Sequence, residues 1–238
     1  MNISKVRQYF FQEMVNLLYE FRACTTDIPS CVDYDVPYVC QFASAESVER
    51  VLSDHSLAEK DPKWSDTGAA SPESYAKWAF AMCGMASTAM AIAFFQKKRI
   101  PIIELAESAR KRGVYQEEEH TFSPMRYREF SEWIVRYGLK AGIRTRLSMA
   151  GIRYALSQGS LVIASVNPNI RGYATAPEDR IGGHLVLVRG FDTYEKVFFI
   201  NNPSGCRSTN TQKRHRISEK VFSKYFAGRG LVLSRNDS

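Results

Sequence analysis

The sequence predicts an α+β fold, on two observations. Capped and amphipathic helical patterns fill the chain from its start to about residue 159, while β-branched and aromatic runs are confined to the part after it. Helices first and strands afterwards, rather than in alternation, favour an antiparallel sheet with helices packed on it. Composition agrees: the 238 residues are 45% hydrophobic and 24% charged, enough apolar material for a buried core. Residues 1–238 are read as one domain of two lobes, without internal repeats or low-complexity tracts.

The first helix is expected over SKVRQYFFQEMVNLLYEFRAC, where Phe10, Met14, Leu17, Leu18 and Phe21 share one side at spacings of three and four. Gln12, Glu13, Asn16 and Glu20 interrupt the segment, so it lacks a signal-peptide core, and no run is long enough to span a bilayer. The expectation is a cytoplasmic protein with no membrane partner, residues 1–32 forming an N-terminal helical extension. In DYDVPYVCQF, Val36, Tyr38 and Cys40 alternate as in a short strand. Residues 45–53 read as helix. Ser71-Pro72 supplies an N-cap and first-turn proline for YAKWAFAM, and the helical run at Cys83 reaches about Lys98. Pro101 starts a helix that Gly113 stops, Ser123-Pro124 opens one over MRYREFSEWIVRYGLKA, and Ser148 caps a short one ended by Gly159. SLVIASVN, HLVLVRGFD and KVFFINNP are strands, ISEKVFSKYF a short helix and GLVLS a last strand.

The net charge of +7 suits acidic partners in general. There is no helix-turn-helix, aromatic RNA-binding motif or zinc module, so nucleic acid is not an expected partner. The basic cluster Lys213-Arg214-His215-Arg216 reads as a solvated hairpin or loop tip. Cys24, Cys31, Cys40, Cys83 and Cys206 are odd in number and show no ligand spacing, which argues against a disulfide scaffold or a zinc site; no metal or cofactor is expected.

Cys83 begins a helical run in AFAMCGMASTAM, and a helix N-terminus or a neighbouring imidazolium lowers a thiol pKa. Gly84 would let a substrate approach the backbone closely. Read alone, Cys83 is a buried structural thiol, since free cysteines are among the most buried residues. A partner changes that reading. His55, His120 and His215 lie in polar contexts, whereas His184 follows Gly182-Gly183 and opens an apolar strand. If the strand after it returns through a loop centred on Thr193, His184 lies directly opposite Asn202, with Cβ atoms about 5 Å apart. The Asn202 oxygen could then fix the imidazole tautomer, as the third member of a triad does. An even-length loop would put Asn201 on that face instead.

In order and spacing, DVPYVCQF, MCGMASTAM, GGHLVLVRGFD, VFFINNP and ISEKVFSKYF resemble the C39-like branch of the papain-fold cysteine peptidases, over about residues 33 to 234. The resemblance implies a papain-like fold, a helical N-terminal lobe with the Cys-bearing helix packed on the sheet. It implies Cys83 as nucleophile, His184 as general base and acid, Asn202 as orienter, and Gln41 as a donor to the oxyanion beside the Cys83 N–H. The family glutamine usually lies a few residues before the cysteine. Here Lys77 holds the position six before Cys83, and residues 42–77 form an insertion after Gln41 that could roof the cleft. Asn202 stands where this branch usually has aspartate. The implied chemistry is an acyl-thioester on Cys83. Water as acceptor makes a peptidase or amidase of it; an amine makes an acyltransferase or amide ligase of natural-product biosynthesis, supplied by an acidic carrier protein. A non-catalytic peptide-binding domain is the third alternative.

Overall fold

A computed structural model of the protein describes residues 3–172 and 176–236. The chain begins with α1 (Ile3–Thr25), β1 (Cys31–Asp33), α2 (Val48–Ser53), α3 (Pro72–Ala79), α4 (Cys83–Gln96), α5 (Ile102–Arg110) and α6 (Tyr127–Trp133). It continues with β2 (Leu139–Arg144), α7 (Met149–Ser157), β3 (Leu161–Val166), β4 (His184–Asp192), β5 (Val197–Asn201), β6 (His215–Ser218), α8 (Glu219–Tyr225) and β7 (Phe226–Arg235). The strands form one antiparallel sheet in the order β2-β7-β3-β4-β5-β6, with β1 pairing the far end of β4. This is the expected α+β arrangement, a Cys-bearing helix on an antiparallel sheet.

The sheet is buried on both faces, as its unbroken apolar runs require. Ile163, Leu185, Leu187, Leu231 and Leu233 face the core that holds α4 and α5. Val162, Ala164, Val186, Val188 and Ile200 face a second core under α7 and α8. Small residues (Gly84, Ala86, Ala89, Ala91, Ala93) let α4 approach its neighbours closely, and it is buried almost all round. No single helix among the described residues is long and apolar enough to cross a membrane.

Three local expectations change, and the stripe of α1, whose direction the sequence left open, turns outward. The apolar stripe of α1 does not pack inward: Tyr9, Phe10, Phe11, Met14, Leu17, Leu18 and Phe21 are all more than half exposed. The helix docks through its polar side instead. Gln12 Nε2 donates to Ile143 O at 3.0 Å, Asn16 Nδ2 to Thr145 Oγ1 at 2.6 Å and Tyr19 Oη to Gly151 O at 2.8 Å, and Glu20 accepts from Ser148. Residues 36–40 form no strand, with Pro37 unable to donate to a ladder; the short strand lies earlier, at 31–33. The helix expected through residue 141 ends in a 3-10 turn at Tyr137 and a left-handed Gly138 (φ +67°), and Leu139, Ala141 and Ile143 belong to β2. The basic cluster, expected as a loop tip, runs into β6 at His215.

Candidate active site

Cys83 is the first residue of α4. The chain breaks between Ala79 and Cys83, and α3 and α4 meet at 93°. No side chain caps α4, so its first-turn N–H groups have no side-chain acceptor. The thiol is half-buried and opens into a cavity of about 430 Å³ whose wall also holds His184, Leu185, Met125 and Tyr127. The space beside Gly84 is filled by the protein itself: a Cβ there would lie 2.7 Å from Met125 Sδ and 3.1 Å from Leu185 Cδ1. Gly84 thus serves close packing of α4 against its neighbours rather than substrate approach alone.

His184 enters β4 from two left-handed glycines, Gly182 (φ +79°) and Gly183 (φ +101°), and is 2% exposed. Its Nε2 lies 2.8 Å from Asn202 Oδ1. The expected orienter therefore reaches the imidazole, but by another route than direct opposition. The hairpin loop, Thr193 to Lys196, has four residues, the even length that would have turned Asn201 toward His184. A register shift between Val188 and Gly190 restores the parity: Asp192 pairs with Val197, but Val188 pairs with Ile200 and Leu187 with Asn201. Even-numbered residues of both strands then share a face, and Asn202 sits diagonally from His184 just past the last pair. Arg189, at the shift, is buried and ion-paired with Asp33 of β1, and Gly190 passes so close to β1 that a Cβ would lie 2.3 Å from Val32 O. Asn201 is used elsewhere, donating to Val36 O and accepting from the Arg214 N–H.

Asn202 is fully buried and pinned on its backbone, with N–H to Gln212 O at 2.8 Å and O accepting from Tyr38 Oη at 3.0 Å. Its Oδ1 also accepts from the Ser204 N–H at 3.2 Å. Two partners escaped the sequence reading. Ser204 Oγ lies 3.3 Å from His184 Nε2, and Arg171 Nε donates to Ser204 Oγ at 2.8 Å. Ser204 was findable, since Asn-Pro-Ser-Gly is an Asx-turn sequence that folds the residue two after the asparagine back onto it. Nothing near Arg171 in the sequence marks it.

Gln41 is buried between the two sides. Its N–H donates to Pro203 O and its Nε2 to Ala79 O, both at 2.8 Å. It does not line the Cys83 cavity, and neither does any residue of 42–77. That segment packs into the core through Phe42, Val48, Val51 and Tyr75 rather than roofing the cleft. The cavity wall opposite β4 comes from residues 121–127.

Burial pushes the Cys83 thiol above its ordinary value, against the pull of the Leu185 backbone and the Arg171 charge. Burial also pushes His184 well below its ordinary value, helped by Arg171 and opposed by the Asn202 hydrogen bond. The free site thus holds a neutral thiol and a neutral imidazole rather than an ion pair. With Nε2–H donating to Asn202 Oδ1, the acceptor nitrogen of the ring is Nδ1.

The sequence profile of the Peptidase_C39 like family matches residues 25–231. No curated protein matches the chain significantly. One similar solved structure is a double glycine motif protease from an AMS/PCAT transporter, in complex with the leader peptide. It is 19% identical, over 65% of this chain and 85% of that one, with a TM-score of 0.42. Another is the peptidase domain of Streptococcus ComA, a bifunctional ABC transporter involved in a quorum-sensing pathway. It is 14% identical, over 65% of this chain and 92% of that one, with a TM-score of 0.42.

Proposed function

The chain belongs to the Peptidase_C39 like family, and from that premise we propose that it is a cysteine peptidase-like enzyme cleaving a peptide or amide bond through an acyl-thioester on Cys83. The observation that carries the reading is the 2.8 Å contact between His184 Nε2 and Asn202 Oδ1, made in the wall of the cavity that exposes the thiol. Nδ1 takes the Cys83 proton as Sγ attacks the carbonyl carbon. The oxyanion forms at the start of α4, where the Cys83 N–H can donate. Gln41, which the family resemblance assigns to the oxyanion, spends an Nε2 proton on Ala79 O and does not line the cavity, so the Cys83 N–H is the donor used here. Collapse breaks the C–N bond, and the amine leaves with the proton held on Nδ1. Water, deprotonated by Nδ1, then attacks the thioester and frees the thiol.

Because the site starts from neutral partners, proton transfer accompanies attack rather than preceding it. Arg171 favours the thiolate and disfavours the imidazolium. The second reading, acyl transfer to an amine from a carrier-protein thioester, shares the first half of this path. The neighbouring positive charge suits the acidic carrier protein that this reading requires.

Intact mass spectrometry tests both. With a simple acyl thioester, Cys83 should gain one acyl mass that decays in water. Decay only on adding an amine would replace the peptidase with a transferase. No adduct, or an unchanged adduct in Cys83→Ala, would remove the nucleophile and leave a peptide-binding domain.

A further inference from the structure

Resting on the acyl-transfer reading and extending it to the substrate, we propose that Arg180 and Arg229 form an anion-recognition subsite on the His184 side of the cleft. It takes a carboxylate or phosphate group carried by the same substrate whose carbonyl meets Cys83.

Both guanidinium groups lie against the two glycines that lead into His184. A Cβ on Gly183 would meet Arg180 Nε and Nη2 at 2.6 Å, and one on Gly182 would meet Arg229 Nη2 at 2.7 Å and Ser165 Oγ at 2.8 Å. The GGH motif is thus required at two levels. Its glycines adopt left-handed backbone, and they leave room for two cations beside the base. Both arginines line the cavity that holds Cys83 and His184.

Among the described residues, no carboxylate pairs with either guanidinium. Glu178 and Asp179, just before Arg180, are exposed and pair with neither. Arg229 has one long contact, Nη2 to Ile181 O at 3.5 Å. Two guanidinium groups without a carboxylate partner in one cleft raise the local concentration of anions and reward one that binds.

The rest of the lining is largely apolar, with Phe80, Phe122, Pro124, Met125 and Leu185. A ligand matching both parts is amphipathic, with an apolar acyl or side-chain part against Phe122 and Met125 and an acid toward the arginines. A volume of about 430 Å³ holds such a ligand, not a folded partner. A peptide carboxylate and the phosphate of a carrier-bound acyl thioester share this chemistry.

The test uses alkylating probes of similar shape: iodoacetylglycinamide (neutral), iodoacetylglycine (carboxylate) and N-iodoacetyl-phosphoethanolamine (phosphate), with modification of Cys83 followed by intact mass. An anionic probe should react roughly tenfold faster than the neutral one at low salt. Arg180→Gln and Arg229→Gln should each bring that ratio close to one. Lys98→Gln, which removes the same unit of charge from an exposed site, should leave the ratio as it was. The faster of the two anions identifies the source.

Equal rates for charged and neutral probes, or a ratio lost as readily in Lys98→Gln, overturn the subsite. If even the neutral probe modifies Cys83 no faster than a free thiol, the nucleophile itself is in question, and Cys83→Ala decides the subsite separately. N-acetylglycine should raise its Tm, N-acetylglycinamide should not, and adding Arg229→Gln should abolish the difference. No difference between the two compounds overturns the proposal.

Discussion

The two ends of the candidate site are held by different forces. Cys83 stands on a helix positioned by packing, with small residues along α4 and Met125 and Leu185 filling the space beside Gly84. His184 stands on a strand whose first residue is fixed by polar contacts, from Asn202 directly and from Arg171 through Ser204. Packing positions a group by volume and tolerates small shifts smoothly, whereas a buried hydrogen-bond network depends on donor and acceptor count. The cysteine end should therefore respond to added atoms, and the histidine end to lost partners or lost register.

The largest effect should come from the register of the histidine end. Gly190→Ala places a methyl 2.3 Å from Val32 O and 2.9 Å from Phe199 Cδ2, so backbone must move. A loss of about 3 kcal/mol is expected in denaturant titration, the upper range for overpacking. The buried Arg189–Asp33 pair beside it would be disturbed as well. A loss below about 1 kcal/mol would mean that β1 yields easily and that the register shift is not a rigid device.

Next comes the orienter. Asn202→Ala leaves His184 Nε2 with only the longer Ser204 contact. The rate of acyl release from p-nitrophenyl acetate should fall roughly 10- to 100-fold, in kcat more than in KM. Asn202→Asp should recover much of the rate. Its carboxylate would favour the imidazolium, so the acid limb of the pH profile should move to higher pH. A flat response to both variants would leave Asn202 a turn residue only.

The cysteine end is probed by Gly84→Ala. The added methyl meets the flexible end of Met125 first, so the cost should be about 1 kcal/mol, with slower alkylation of Cys83 as the cavity narrows. Gly84→Ala with Met125→Ala should relieve the crowding. If the pair costs more than the sum of the single changes, Met125 is not the obstacle.

The same contrast explains what could be read from the sequence. Helices with caps were legible: Ser71 and Ser148 accept from the backbone N–H groups expected of them. So were the core strands, because β-branched runs buried on both faces have few other uses. Cys83 and His184 stood out through their neighbouring glycines. The contact between His184 and Asn202 was reached by an argument that assumed an unbroken ladder. A four-residue loop and a register shift at Arg189, two departures of opposite effect, place Asn202 on the expected face. Periodicity does not reveal a shift of this kind, because its cause is the Arg189–Asp33 pair and the close pass of Gly190 to β1, both contacts distant in sequence. For α1, periodicity identified the stripe but not its direction, which is set by the acceptors that Gln12, Asn16 and Tyr19 find on residues 143–151.

A last contrast separates the two ends by pH. Burial holds His184 below its ordinary value of 6.5, so the folded protein refuses a proton that the unfolded chain accepts. As pH falls below 6.5 the unfolded state binds more protons, and stability drops by up to about 1.4 kcal/mol per pH unit for each such group. His215, also depressed by burial, adds to the same limb. Cys83 acts on the opposite flank. Its raised pKa stabilises the fold while the thiol is neutral in both states, and that contribution is lost as pH rises past 9.0. Cys40, raised by burial to about 11, shares the alkaline flank, so the acid limb gives the cleaner measurement. Between pH 6.5 and 5, His184→Gln should flatten the decline of Tm, and His215→Gln should flatten it less, since burial depresses His215 less strongly. The lowered Glu46, Glu49 and Glu117 titrate below this window, at and beneath 4.5. An unchanged slope in His184→Gln would mean that the imidazole takes up its proton within the fold, and that the histidine end is less tightly closed than its hydrogen bonds imply.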